Sequence, residues 1–243
     1  DAFADTSLAN FRRFGIDTRH VGRVPGVSSG VAPIFVEPSG ENSILIVKGA
    51  NARLSPADVD AAAADLASCD LILLQLEIPL ETVRHTIRFA RDHGIETVLN
   101  PAPAAPLDLD VVGAVTFLVP NRTELALLTG LPVEDEPQAI AAARLLVERG
   151  VRTVIVTLGA DGALVVDAAG VLPVAPVAVT PRDTTGAGDA FIGAFARFYA
   201  ESRDVAAALA EAALYAADSV TRPGTQTSYA SAADFAAVRA ARR

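Results

Sequence analysis

Cysteine, tryptophan, methionine and aromatic residues are scarce or missing in this sequence. Its 243 residues include one cysteine, no tryptophan and no methionine, and aromatic residues make up 5%. A single cysteine excludes an internal disulfide, so a reducing, cytoplasmic location is expected. Cys69 precedes an apolar run, which indicates a small core residue and not a reactive thiol. Ala, Val and Leu must therefore fill the core, as in closely packed helices and buried strands.

Basic runs and long apolar runs are also missing. The formal net charge is −9, and nucleic-acid binding depends on Lys and Arg that neutralise phosphates, so this class of partner is not expected. No apolar stretch approaches the ~18 residues needed to span a bilayer, so no membrane partner is expected. The spacing of His20, His85 and His93 provides no zinc-binding pair, and all three are expected to be solvated. Small anions remain possible ligands, because backbone amides bind them whatever the net charge.

Hydrophobic patterning predicts an α/β fold. Hydrophobic residues make up 51% of the sequence and charged residues 20%, which is enough for a sizeable core, and residues 1–243 are expected to form one domain. Apolar, strand-like segments at 71–76, 96–99, 115–119 and 153–158 alternate with helical segments. This alternation is typical of a mostly parallel sheet flanked by helices.

An early pair of strand-like segments lies outside this alternation. Residues 31–36 and 43–47 are apolar and flank a strong turn signal at 37–42, which predicts a β-hairpin. We therefore expect residues 21–48 to include part of a small antiparallel β lid appended to the sheet.

Polar residues or glycine follow one predicted strand after another. Ligands of parallel α/β sheets bind beyond the carboxyl ends of the strands, so the residues directly after each strand are candidates. They are Glu77, Asn100, Asn121, Glu124 and Gly159. Turn residues occur at any loop, but recurring Glu and Asn are more than helix capping requires.

The segment DTTGAGDAF at 183–191 carries the strongest chemical signal. Two glycines allow a tight loop to direct successive backbone N–H groups at one point, and the helix that follows adds its positive N-terminal dipole. The loop therefore predicts an anion hole, with Asp189 facing whatever is bound. The alternative is that Asp183 or Thr184 only caps the helix. The sequence lacks the GxxxxGK[ST] phosphate loop, and Phe191 stands where GxGxxG requires its third glycine, so a dinucleotide fold is disfavoured.

DTTGAGDAF resembles the C-terminal signature of the ribokinase (pfkB) carbohydrate kinases. Five further segments are similar to ribokinase segments in the same order: LLQLEIP at 73–79, LNPAPA at 99–104, PNRTE at 120–124, VTLGADG at 156–162 and VTRPG at 220–224. The resemblance implies an ATP-dependent sugar kinase with D-ribose as the expected substrate. Kinases of fructose, ketodeoxygluconate or nucleosides share these motifs, and a non-catalytic sugar- or nucleotide-binding relative is a further alternative.

The resemblance also implies roles for individual residues. Asp189 matches the catalytic base that takes a proton from the sugar hydroxyl, and it also contacts the substrate. Glu77 matches an acid that hydrogen-bonds the sugar. The anion hole, which stabilises charge on the transferring phosphoryl group, matches Gly186, Ala187 and Gly188.

Nucleotide and ion sites follow from the same resemblance. Glu124 matches a residue that holds Mg²⁺ through water, beside the phosphate-positioning Asn121. The matched ATP-binding residues are Asn121, Thr157, Gly159, Gly162 and Gly188. The residues that match an activating K⁺ site, largely through carbonyl oxygens, are Asp183, Thr185, Ser219, Arg222, Gly224 and Ser228.

The family pattern also has an N-terminal part that this sequence does not show. That part carries a substrate-binding Asp and a GGKGxN motif that grips the sugar. We therefore expect the chain to be a piece of a longer kinase, which would form a homodimer through its lid strands if the full lid is present.

Overall fold

The computed structural model describes residues 1–36 and 42–242. The strands are β1 (Ile34–Val36), β2 (Asn42–Ile44), β3 (Leu71–Leu74), β4 (Glu96–Leu99), β5 (Phe117–Leu118), β6 (Thr153–Thr157), β7 (Ala163–Asp167) and β8 (Gly170–Val174). The helices are α1 (Ala2–Arg13), α2 (Pro56–Ala61), α3 (Ala63–Leu66), α4 (Leu80–Asp92), α5 (Leu109–Val112), α6 (Arg122–Thr129), α7 (Glu136–Glu148), α8 (Ala187–Ser202), α9 (Val205–Ser219) and α10 (Ala232–Ala240). Short 3₁₀ turns lie at Gly49–Arg53, Gly159–Asp161 and Gln226–Ser228.

Strands β3 to β8 form one sheet in sequence order. The pairs β3–β4, β4–β5 and β5–β6 are parallel, whereas β7 and β8 add to the edge in antiparallel orientation. The central strands are buried on both faces, which explains their continuous apolar sequences. The predicted mostly parallel sheet flanked by helices is therefore confirmed, and the assignment of residues 1–243 to one domain stays a prediction.

Helices cover both faces of the sheet. Consecutive side chains of a strand point to opposite faces, and in β4 Leu99 packs into the core beneath α4, α6 and α7, whereas Val98 packs beneath α8 and α9. On the α8 face, the ring of Phe117 meets Phe195 edge-on at 5.2 Å and Tyr199 at 4.8 Å. Small residues let α9 pack closely against its neighbours on this face, and Ala208 is accordingly almost fully buried. The result is a three-layer α/β/α architecture.

The predicted hairpin is present as β1 and β2, which pair antiparallel with Ile34 opposite Ile44. Backbone hydrogen bonds in both directions between Val31 and Val47 extend the ribbon at 3.0 and 2.9 Å. Most of the predicted turn, residues 37–41, lies outside the described residues. The ribbon exposes apolar side chains, with 60% of Phe35 accessible.

Ion pairs cluster at the edge of the sheet where the strands begin. Glu96, the first residue of β4, accepts hydrogen bonds from Arg203 at 2.8 Å and Tyr199 Oη at 3.1 Å, and also pairs with Arg152. Arg203 reaches Asp70 as well, at 2.8 Å. Burial and the hydrogen bond to Glu96 raise the pKa of Tyr199. This network ties α8 to β4 and β6 far from the carboxyl ends of the strands.

The expectation that Cys69 is a small core residue is wrong, whereas the three histidines are exposed or partly exposed, as expected. Cys69 is exposed, because the chain turns after α3 and β3 begins two residues later. Two histidines make specific pairs: His20 with Asp65 at 2.6 Å and His85 with Asp60 at 2.7 Å.

Across residues 1–36 and 42–242, no helix is both long enough and apolar enough to cross a membrane.

Candidate active site

A cleft of about 220 Å³ opens where the carboxyl ends of β4, β5 and β6 meet the N-terminus of α8. This is the edge at which parallel sheets bind ligands. The cleft brings together residues from distant parts of the sequence. Its lining consists of Asn100, Ala102, Val119, Asn121, Glu124, Thr157, Thr184, Gly186, Ala187, Gly188, Asp189 and Ile192.

The N-terminus of α8 is open. Side chains cap α1, α6, α7, α9 and α10, but among the described residues no side chain caps α8. Gly186 occupies the cap position in the left-handed region, with φ +79°, which favours glycine. The Ala187 N–H donates to Thr184 O at 3.2 Å. The N–H groups that follow have no partner within the helix, so this end can bind an anion. The predicted anion-hole residues Gly186, Ala187 and Gly188 all line the cleft.

Asp183 does not cap this helix. Its carboxylate accepts hydrogen bonds from the Thr185 N–H at 3.0 Å and the Gly224 N–H at 2.8 Å. It therefore ties the loop to the segment after α9, and the interpretation of Asp183 as a helix cap is wrong.

Asp189 lies in the first turn of α8 and lines the cleft. Its accessible area is large because the cleft is open, yet protein atoms crowd the carboxyl, and this burial raises the pKa of Asp189. A base with a raised pKa holds an abstracted proton more readily. The geometry thus places an acid–base group beside an anion-binding helix end.

Asn121 and Glu124 hold each other at the start of α6. The Asn121 N–H donates to Glu124 Oε2 at 2.8 Å, and the Glu124 N–H donates to Asn121 Oδ1 at 2.9 Å. This capping box explains their three-residue spacing. Both residues also line the cleft, and burial raises the pKa of Glu124.

Asn100 is a cleft residue that the sequence marks as a strand-end candidate but to which the family resemblance assigns no specific role. Its backbone N–H donates to Leu74 O at 2.9 Å, which fixes it at the end of β4. Its side-chain Oδ1 is buried and has no hydrogen-bond partner among residues 1–36 and 42–242. Unpartnered buried acceptors are rare and costly, so this oxygen is suited to a ligand that donates a hydrogen bond. Its position directly after a strand was the available sequence signal.

The predicted nucleotide loop is only partly in the cleft. Thr157 lines it and pairs with Asn121 through a parallel bridge. Gly159 and Gly162 follow in the next turn, outside the lining. Gly162 has φ +89°, and a Cβ there would lie 2.2 Å from Val174 O, so the fold itself requires glycine.

Glu77 lies just beyond β3, is exposed and is not part of the cleft lining. The residue before it is held on both sides: Leu76 N–H donates to Ala102 O at 2.8 Å, and Lys48 Nζ donates to Leu76 O at 3.0 Å. Lys48 follows the lid ribbon, so this contact connects the lid to the strand end that carries Glu77.

The residues of the predicted monovalent-cation site come together beside the α8 loop. Ser219 and Ser228 are buried, and Gly224 binds Asp183 as described above. Hydrogen bonds from Thr185 and Gly224 lower the pKa of Asp183 and keep a negative charge there. Arg222 can offer only its carbonyl, because its guanidinium binds Asp218 and Ser228 O.

The chain is similar to known sugar kinases. A family model described as pfkB family carbohydrate kinase matches residues 1–232. A deoxyribokinase from Salmonella typhi is 52% identical over 236 residues, which are 97% of this chain and 77% of that protein. A ribokinase from Haemophilus influenzae is 38% identical over 228 residues, 94% of this chain and 74% of that protein. The crystal structure of a Thermotoga maritima ribokinase matches 99% of this chain and 78% of its own, with 32% identity and a TM-score of 0.86.

The fold and the matched kinases define a phosphotransferase that uses an alcohol group as acceptor. The chain belongs to the pfkB family of carbohydrate kinases. It is thus a sugar kinase with ATP as phosphoryl donor, and the family resemblance seen in the sequence is confirmed.

Proposed function

We propose that the chain phosphorylates the 5-hydroxyl of a pentose, either 2-deoxy-D-ribose or D-ribose. The 52% identity with a deoxyribokinase, against 38% with a ribokinase, favours 2-deoxyribose over the ribose expected from sequence. The observation that carries the proposal is the position of Asp189 beside the open N-terminus of α8 in one cleft.

In this proposal Asp189 takes the proton of the primary hydroxyl as its oxygen attacks the γ-phosphorus. The bond from that phosphorus to the bridging oxygen breaks, and ADP leaves. The N–H groups at the start of α8, around Gly188, stabilise the charge on the transferring phosphoryl group. Glu77 would bind sugar hydroxyls, and Thr157, Gly159 and Gly162 would contact the nucleotide.

The residues present fit a magnesium ion held largely by water. No three His, Cys, Asp or Glu cluster as a metal site in the described part of the chain, but Glu124 and the unpartnered Asn100 Oδ1 share the cleft. We propose that Glu124, Asn121 and Asn100 hold Mg²⁺-bound water and phosphate. The ion would neutralise phosphate charge.

A monovalent cation, K⁺, is proposed at the residues around Asp183. The set is Asp183, Thr185, Ser219, Arg222, Gly224 and Ser228. The lowered pKa of Asp183 supports it, because an ionised carboxylate attracts a cation to the neighbouring carbonyl oxygens.

A homodimer and a cytoplasmic location are also proposed. The exposed apolar side chains of the lid ribbon, including Phe35 and Leu45, support a homodimer through the lid. The lone Cys69 supports a reducing compartment. Sedimentation of the full-length protein would test the dimer directly, and a monomer at micromolar concentration would exclude it.

The kinase proposal is tested by measuring ADP release from the full-length protein against 2-deoxyribose, ribose, fructose, ketodeoxygluconate and nucleosides. We expect the highest kcat/KM with 2-deoxyribose. Asp189→Asn should lower kcat by about 10²- to 10⁴-fold, since it removes a general base.

The matched control is Asp92→Asn, which changes an exposed aspartate paired with Arg91. It should keep wild-type kinetics. An Asp189→Asn enzyme as fast as wild type would contradict the mechanism, and a higher kcat/KM for a nucleoside or hexose would contradict the substrate.

A further inference from the structure

Tyr229 reaches the anion-hole loop from a distant segment. Its Oη donates a hydrogen bond to the Gly186 carbonyl at 3.0 Å, across 43 positions in the sequence. Tyr229 directly follows the 3₁₀ turn Gln226–Ser228, and Gly186 is the residue before α8. The contact therefore joins the segment after α9 to the start of the catalytic helix.

The fit between Tyr229 and the loop is close. A Cβ placed on Gly186 would lie 2.7 Å from Tyr229 Oη and 3.4 Å from Thr225 Cβ. The Tyr229 hydroxyl thus lies against the Cα of Gly186, and an added methyl group would collide with it. Tyr229 therefore supports the loop on this side. Among the described residues, no side chain caps the N-terminus of α8.

The hydrogen bond acts on the first peptide unit of α8. The Gly186 carbonyl also accepts the Ala190 N–H at 2.9 Å, the first bond of the helix. Because a peptide unit is planar, fixing the Gly186 C=O also fixes the direction of the Ala187 N–H. The amides of Gly188 and Asp189 belong to the next two peptide units of the helix, so a shift of this plane would displace them and the Asp189 side chain.

The Tyr229 hydroxyl remains a donor at any physiological pH. Burial, and then the nearby Asp189 carboxylate, raise the pKa of Tyr229 to about 12. The Tyr229 ring lies beside that of Tyr215, with the ring centroids 6.4 Å apart, and the hydroxyl of Tyr215 donates to Ala230 O at 2.9 Å. Tyr229 therefore contacts Gly186 from within a packed group of side chains.

We propose that Tyr229 is a positioning residue, whose hydroxyl holds the Gly186–Asp189 loop in the geometry needed for phosphoryl transfer. This inference rests on the proposed function of the cleft. It differs from a merely structural role, because a structural hydrogen bond would affect unfolding without affecting the loop or turnover specifically.

The test compares wild type with Tyr229→Phe, which keeps the ring and removes only the hydroxyl. We expect kcat to fall about five- to tenfold, as for the loss of one hydrogen bond in the transition state. KM for sugar and for ATP should change less than about twofold, because the loop is expected to act on the transition state. Without ligands, backbone amides in residues 184–191 should exchange hydrogen about five- to tenfold faster.

The matched control is Tyr199→Phe, which removes the hydroxyl that donates to Glu96 at the opposite edge of the sheet. It should lower the unfolding temperature and leave kcat and the exchange of residues 184–191 unchanged. Equal exchange in wild type and Tyr229→Phe would overturn the inference. Acceleration spread equally over β6 and the loop would also overturn it, since that is global destabilisation.

The exchange measurement separates this inference from the function on which it rests. A wild-type enzyme that phosphorylates none of the sugars contradicts the proposed function, while faster loop exchange in Tyr229→Phe still supports the positioning contact. An active wild type with an equally active Tyr229→Phe variant contradicts only the inference.

Discussion

Asn121 and Glu124 together cap the N-terminus of α6 through two reciprocal hydrogen bonds. The Asn121 N–H donates to Glu124 Oε2 at 2.8 Å, and the Glu124 N–H donates to Asn121 Oδ1 at 2.9 Å. The same pair faces the cleft. One motif thus caps the helix and, in the proposed function, also binds a ligand, and substitutions can separate the two roles.

Glu124→Gln should leave the cap intact and remove the charge, because a Gln side-chain oxygen can still accept the Asn121 N–H. We expect thermal stability at pH 7 to be no lower than in wild type, because burial raises the pKa of Glu124 and a neutral Gln avoids burying a charge. The affinity for Mg²⁺ should fall by about 10- to 100-fold, the usual cost of losing an outer-shell partner of a metal. Magnesium titrations of kinase activity measure this.

Glu124→Ala is the comparison variant, since it removes both cap and charge. It should lose about 1 kcal/mol of stability as well. If Glu124→Gln binds Mg²⁺ like wild type, Glu124 is only a cap and the magnesium proposal fails.

The fold and the loop that lines the cleft could be predicted because their signals are local. Apolar strands alternate with helices along the chain, and Gly186, Gly188 and Asp189 occupy one short loop. The antiparallel addition of β7 and β8 was not predicted, because strand composition alone does not set direction. The exposure of Cys69 was missed because an apolar run two residues later does not show where the strand begins.

Residues that depend on packing were harder to find. Tyr229 contacts Gly186 across 43 positions of sequence, and no local sequence pattern predicts such a contact. Asn100 was visible as a strand-end residue, but only the packed structure shows that its Oδ1 is buried without a partner in the described chain. Both cases depend on the packing of segments that are distant in the sequence.

Asp189 should make the folded protein less stable at neutral pH than a neutral residue would. Its folded-state pKa is raised by burial, so the native state holds this proton more tightly than the unfolded chain does. The associated stability is fully present below the unfolded value of about 3.9 and is lost as pH rises through the folded value. Asp189→Asn should therefore raise the unfolding temperature at pH 7, although the proposed function expects it to lower turnover.

The gain should shrink as pH falls toward the unfolded value, where wild-type Asp189 is protonated too. Thermal unfolding of both proteins at several pH values checks this, with Asp92→Asn as the exposed control. An equal or lower unfolding temperature for Asp189→Asn at pH 7 would show that burial does not perturb this carboxyl.

Asn100→Ala should weaken ligand binding with little effect on the ligand-free protein. It removes a buried oxygen that has no partner in the described chain, so the gain from losing that penalty offsets the small cavity, and the free energy of unfolding should stay within about 1 kcal/mol of wild type. The rise in unfolding temperature caused by Mg²⁺ and ADP should become smaller.

Asn10→Ala is the control, because Asn10 on α1 is only partly exposed but lies outside the cleft lining and hydrogen-bonds Gln226 instead. It should keep the full rise. An Asn100→Ala protein stabilised by Mg²⁺ and ADP as much as wild type would remove Asn100 from the proposed site.

Gly159 and Gly162 offer a matched pair within one turn. Both have positive φ, +62° and +89°, but a Cβ on Gly159 would meet open space, whereas one on Gly162 would lie 2.2 Å from Val174 O. Gly159→Ala should cost about 1 kcal/mol, the usual strain of a left-handed residue. Gly162→Ala should cost about 3 kcal/mol, because its backbone region is almost restricted to glycine and the β7–β8 hairpin must also move.

Chemical unfolding of the two variants measures the difference, and ATP titration shows which role each glycine has. If Gly159 contacts the nucleotide, Gly159→Ala should raise KM for ATP at nearly normal stability, because the fold has room for the methyl group. A Gly159→Ala enzyme with wild-type KM would assign the turn a structural role alone. Gly162→Ala as stable as Gly159→Ala would contradict the steric argument, since the backbone of residues 174–176 crowds a Cβ at Gly162 and nothing crowds one at Gly159.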